Sequence, residues 1–130
     1  MSDEVVNHLA LARAYLMAGR LDEAESHARQ VATVAEQQAR PLAVASLLLA
    51  RASIARGNTE AARRQLDDAA TGLQAVLQDR WAARIWCEIA EAHDEIGSAT
   101  AARVAYRQAG TASGLAVPTM PDPVGSTAPR

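Results

Sequence analysis

HLALARAYLMAGRLDEAESHAR, residues 8–29, reads as a helix, a tight break at Gly19-Arg20, and a second helix opened by Leu21-Asp22-Glu23-Ala24. Upstream, apolar residues at 5, 6, 9, 11, 12, 15 and 16 recur at helical rather than alternating spacing over residues 3–18. Ser2 or Asp3 suits the N-cap, and Gly19 suits the position just past a helix C-terminus. Asp22 and Glu23 fit the first turn of the next helix, where the dipole favours negative charge. That helix is expected over about 21–38, with Ala24, Ala28, Val31 and Ala35 on one face.

The pattern continues along the chain. Pro41 is placed to open a third helix, because an N-terminal residue needs no N–H partner. This helix ends at Gly57-Asn58, and Asn58 or Thr59 caps a fourth over about 59–78. Gly72 lies inside the fourth and is expected to bend or weaken it. A fifth helix starts near Asp79-Arg80 and ends at Gly97-Ser98; a sixth runs from about 99 to 113 through Val104, Tyr106 and Ala109. From Ala116 the texture changes: PTMPDPVGSTAPR has four prolines and no helical periodicity, so 116–130 is read as a disordered tail or the start of a linker. The expected layout is a helical domain over 1–115 followed by that tail.

Composition supports an all-α core of small side chains. Alanine supplies 31 of the 130 residues, four residues are aromatic, and Phe is absent. All 13 basic residues are Arg, and they are scattered. With a net charge of −2, no patch suited to neutralising phosphates stands out, so direct nucleic-acid binding is not expected. The single Cys87 excludes an intramolecular disulfide. No apolar run approaches the roughly 20 residues of a membrane span, and MSDEVVNH is unlike a signal peptide, so a cytoplasmic location is expected.

The breaks at Gly19, Gly57 and Gly97 are 38 and 40 residues apart, a spacing typical of stacked repeats. Aligned on these glycines, Leu11-Ala12, Leu49-Ala50 and Ile89-Ala90 precede the break, and Ala24, Ala62 and Ala102 follow it. The large residue is expected to pack between the two helices of a hairpin, and the alanines to allow their close approach.

These columns resemble the tetratricopeptide repeat, with its Trp-x2-Leu-Gly-x2-Tyr and Ala-x3-Phe pattern. Repeat one offers Leu11, Ala12, Tyr15, Ala24 and Ala28. Repeat three offers Trp86, Ile89, Ala90, Ala102 and Tyr106, with His93 in the Tyr column. Repeat two fits least well, with Ser46 and Ser53 in place of aromatics. The resemblance covers about residues 5–113 and implies an αα-superhelix of three hairpins. The period exceeds 34 and no proline closes the repeats, so longer second helices are expected. Such stretched repeats are similar to those in the C-terminal regulatory portions of actinobacterial helix-turn-helix transcription regulators. RWAARIWCEIAEAHDEIGSATAARVAYRQAGTASGL is similar to a closing repeat and tail of that kind, so the chain is open to being part of a larger bacterial regulator.

The resemblance implies protein or peptide binding on the concave face formed by the first helices. The implied facing residues are Val6, Leu9, Arg13, Leu16 and Met17; then Val44, Leu47, Leu48, Arg51 and Ile54; then Arg84, Cys87, Glu88, Glu91, Asp94 and Glu95. This describes an apolar floor with one Arg in each of the first two repeats and an acidic patch in the third. It suits an amphipathic helix or extended peptide with a basic end, a second copy of the chain, or an apolar small ligand. The family's carboxylate-clamping Lys and Asn are absent, so C-terminal peptide capture is not expected. The acidic set is read as a solvated face rather than a metal site. His8, His27 and His93 lack zinc-ligand spacing, and Cys87 has no triad partner. No cofactor, metal or catalytic chemistry is expected. His93 is read as a packing residue and Trp86 as core. Trp81, five residues from Trp86, is placed at a hairpin entrance or against a partner.

Overall fold

The computed structural model of the protein describes residues 2–114 and consists of six helices. They are α1 (Asp3–Met17), α2 (Leu21–Val34), α3 (Ala39–Ala55), α4 (Thr59–Gln74), α5 (Arg80–Glu95) and α6 (Ala99–Ala112). No strand occurs among the described residues, and 116–130, read above as a tail, lies outside them.

Local chemistry sets the boundaries. Ser2, Asn58 and Asp79 are N-caps, their side chains accepting the backbone N–H of Val5, Ala61 and Ala82. Three first helices end identically. Gly19, Gly57 and Gly97 take φ of 76°, 80° and 79°. The next residue's N–H returns to a carbonyl five residues back: Arg20 to Tyr15, Asn58 to Ser53 and Ser98 to His93, each at 2.8 Å. This double-bonded helix stop needs a left-handed residue, which glycine adopts without steric cost.

Second helices end differently and earlier than expected. α2 stops at Val34 rather than near 38, and Glu36 takes φ of 55°. α3 then starts at Ala39, so Pro41 is its third residue, still within the turn whose N–H groups have no helical acceptor. α4 stops at Gln74 rather than 78. The Gln78 side-chain amide donates to the carbonyls of Leu73 and Val76, and its oxygen accepts the Trp86 indole N–H at 2.9 Å. The second helices are therefore not long: they have 14, 16 and 14 residues, against 15, 17 and 16 for the first. The extra period is shared by the links 35–38 and 75–79 and by the 17-residue α3 and 16-residue α4 and α5.

Each helix pairs with its hairpin partner, and the hairpins stack in chain order. α3 is the centre, touching α1, α2, α4 and α5. The alanine columns behave as expected: Ala12, Ala50 and Ala90, with Ala24, Ala62 and Ala102, are buried. The large-residue column does not. Ile89 is buried and Leu49 half-buried, but Leu11 is 41% exposed. This column packs against the preceding hairpin, and among the described residues the first hairpin has none. Gly72 sits where α4 crosses α3; a Cβ there would lie 3.4 Å from that of Ala43.

Candidate protein-binding face

α1, α3 and α5 bring their charged residues together across the stack. Arg13 forms a two-pronged pair with Glu88, Nη1 to Oε1 at 2.9 Å and Nη2 to Oε2 at 3.2 Å. Arg51, its counterpart one hairpin on, reaches the same Oε1 at 3.5 Å. The Glu88 side chain is only 16% exposed, while both arginines remain well open to solvent. One carboxylate thus answers two guanidinium groups, and the cluster keeps a surplus positive charge. The expected separation into an apolar half and an acidic patch is corrected here: the chief acid of the third repeat is spent on the arginines of the first two.

Beside this cluster lie two adjoining clefts. Arg13, Leu16, Met17, Leu48 and Arg51 line one of about 160 Å³. Leu16, Met17, Arg51, Ile54, Ala55 and Glu95 line the other, of about 250 Å³. Leu16 and Ile54 are half-buried against the core, whereas Met17 is 89% exposed at the end of α1.

Other expected residues are placed elsewhere. Leu47, Leu48 and Val44 are buried core, because this part of α3 is enclosed by neighbouring hairpins; Leu48 only underlies the smaller cleft. Leu9 is half-buried against both apolar clusters. Arg84 and Cys87 face a different groove, between α5 and α6. Glu91 and Asp94 lie near Tyr106 of α6. There partial desolvation, then the Asp94 and Glu91 charges, hold the phenol proton above its ordinary range. The acidic set is therefore divided among three surroundings. Among the described residues no group of three or more His, Cys, Asp or Glu could hold a metal ion, and no helix is long and apolar enough to cross a membrane.

Two arrangements escaped sequence reading. His8 and His27 meet across the first hairpin, Nδ1 to Nδ1 at 2.9 Å. Tyr15 stacks on His27 at 5.5 Å, with Arg20 over the Tyr15 ring at 5.0 Å. Arg40 of α3 bonds Asp79 at 2.7 Å and lies 4.5 Å over the Trp81 ring, stitching the second hairpin to the third. Trp81 thus sits at a hairpin entrance, and the Arg40 hydrogen bond holds the Asp79 carboxyl below its usual range. The Gly-aligned register could have suggested neither pairing, since both depend on side-chain reach between helices.

Residues 8–30 and 43–68 match the family model described as Tetratricopeptide repeat. No curated protein and no solved structure matches the chain. The second repeat, the least typical by its residues, is one of the two matched. Repeats of this family generally mediate protein–protein interaction, and their proteins are typically non-enzymatic scaffolds. Matches on two successive hairpins, with a third of the same build behind them, support a tetratricopeptide repeat domain.

Proposed function

We propose that the chain is a protein-interaction module that takes an extended peptide or a helix across α1, α3 and α5. The observation that carries this reading is the convergence of Arg13 and Arg51 on Glu88 beside an exposed Met17. An apolar side chain of the partner enters the clefts among Leu16, Met17 and Ile54. An acidic group of the partner meets the surplus charge of Arg13 and Arg51, and a basic one meets Glu95. Recognition is by shape and charge, without chemistry, cofactor, metal, nucleic acid or membrane, and is assigned to the cytoplasm.

Selection of peptides from a random library, followed by calorimetry on the purified chain, tests this. Selected sequences are expected to pair an apolar with an acidic residue. Met17→Asp is expected to weaken binding by about ten-fold or more, the scale of one apolar anchor. Arg13→Glu with Arg51→Glu is expected to abolish preference for acidic residues. Unchanged binding in both variants sinks the proposal.

A second reading rests on the resemblance of residues 80–115 to the closing repeat and short tail of actinobacterial helix-turn-helix regulators. The chain is then the regulatory and dimerisation part of a transcription regulator, sensing a peptide or small ligand. A helix-turn-helix domain encoded upstream in the same reading frame would establish this, and an unrelated upstream frame would remove it.

A further inference from the structure

Each hairpin offers its successor the same groove. In the first, Val5 and Leu9 of α1 and Val31 and Ala35 of α2 enclose Leu42 and Ala45 of α3. In the second, the counterparts Ala43, Leu47, Ala69 and Leu73 share one buried cluster with Ala82, Ile85 and Ile89 of α5. In the third, the counterparts are Ala83, Cys87, Ala109 and Ser113. With Tyr106 they line an open groove of about 500 Å³ that no described residue fills.

The face that does the filling is equally regular. On α3 it is Leu42, Ala45, Leu49 and Ala52, all buried or half-buried; on α5 it is Ala82, Ile85, Ile89 and Ala92, all buried. The counterparts on α1 are Glu4, Asn7, Leu11 and Ala14, and all four are exposed. Among the described residues, a filling face on α1 and a groove between α5 and α6 are therefore left unused.

Charge matches the two surfaces. The seam between hairpins two and three is held by Arg40, which lies over Trp81. The counterpart of Arg40 beside the open groove is Arg80, and the counterpart of Trp81 on α1 is Asp3. Neither Arg80 nor Asp3 forms an ion pair among the described residues. In the same register between two molecules, a cation–π contact becomes an ion pair.

We propose that a second copy of this chain fills the groove: α1 of one copy stacks on α5 and α6 of the next, with Leu11 taking the place that Ile89 holds in the second seam, Glu4 and Asn7 at the groove's edge, and Asp3 pairing with Arg80. The contact is heterologous. Repeated from copy to copy, it builds an open filament, or a ring where the rotation between copies closes. With one helix face buried per contact, association is weak and depends on concentration.

Sedimentation velocity of the full chain over a range of concentrations tests this. The average mass is expected to climb past that of a dimer as concentration rises. Leu11→Asp is expected to hold the chain at monomer mass with an unchanged circular dichroism spectrum. Arg80→Glu alone, or Asp3→Arg alone, is expected to weaken association about ten-fold, and the two together to restore it. Three outcomes overturn the proposal. One is a chain that stays monomeric at every concentration, as it would if its own residues 115–130 occupied the groove. The others are association that ignores Leu11→Asp, and charge reversals that do not rescue each other. Leu11 and Met17 lie on different faces, so failure here leaves the peptide-binding proposal standing.

Discussion

At position 93 an imidazole occupies the column that Tyr15 holds in the first hairpin. His93 is buried, and its Nδ1 has no hydrogen-bond partner among the described residues. Burial holds its pKa below the ordinary 6.5; Arg63 adds to this, while Asp67 and Asp94 oppose it. The unfolded chain thus takes up a proton more readily than the folded one. The stability His93 supplies is full above its unfolded value and is lost as the pH falls through the depressed folded value. Thermal melts between about pH 7 and pH 5 should show a fall in midpoint that His93→Leu flattens. The packing role of His93 was legible because the repeat register put it among aromatics. The pairing of Glu88 was not: the sequence groups it with Glu91, Asp94 and Glu95, and only the stacking of three hairpins brings Arg13 and Arg51 within reach.

Helix ends show how far an element can be read from its residues. The three glycine stops were legible because one backbone conformation demands that residue. The ends of α2 and α4 were not, because no glycine marks them. α2 gives way to a left-handed Glu36, and the end of α4 is held by Gln78, whose role depends on Trp86 eight residues away. Propensity alone makes Gly72 a weak point, yet it also lies at the α3–α4 crossing. A methyl group there just reaches contact distance of Ala43. Gly72→Ala should therefore gain helix propensity without a clash and raise stability by about 0.5–1 kcal/mol. Gly72→Leu should force the helices apart and lower stability by about 1–3 kcal/mol. Urea titration of both variants checks the opposite signs; a loss in Gly72→Ala would mean that the crossing tolerates no side chain at all.

Across the whole molecule, the repeat period exposed the architecture but not which face of each first helix is spent on neighbours. Leu47 and Leu48 were expected on the binding face because a hairpin viewed alone leaves them free; the adjoining hairpins bury them. Leu48→Ala should accordingly cost about 2–4 kcal/mol in chemical denaturation, a core value rather than a surface one. A loss under about 0.5 kcal/mol would return Leu48 to the surface. For the same reason Leu11, which reads like its buried counterpart Ile89, is exposed: no described residue packs over it as the second hairpin packs over Ile89.

Of the 28 buried apolar residues among those described, 18 are alanine. An alanine has no side-chain torsion to freeze, so closing these helices against one another costs little side-chain entropy. It also removes little hydrocarbon from water, and it is exposed hydrocarbon that raises the heat capacity on unfolding. The stability of this stack should therefore vary gently with temperature, a shallow curve held up by close helix approach rather than by the bulk of what it hides.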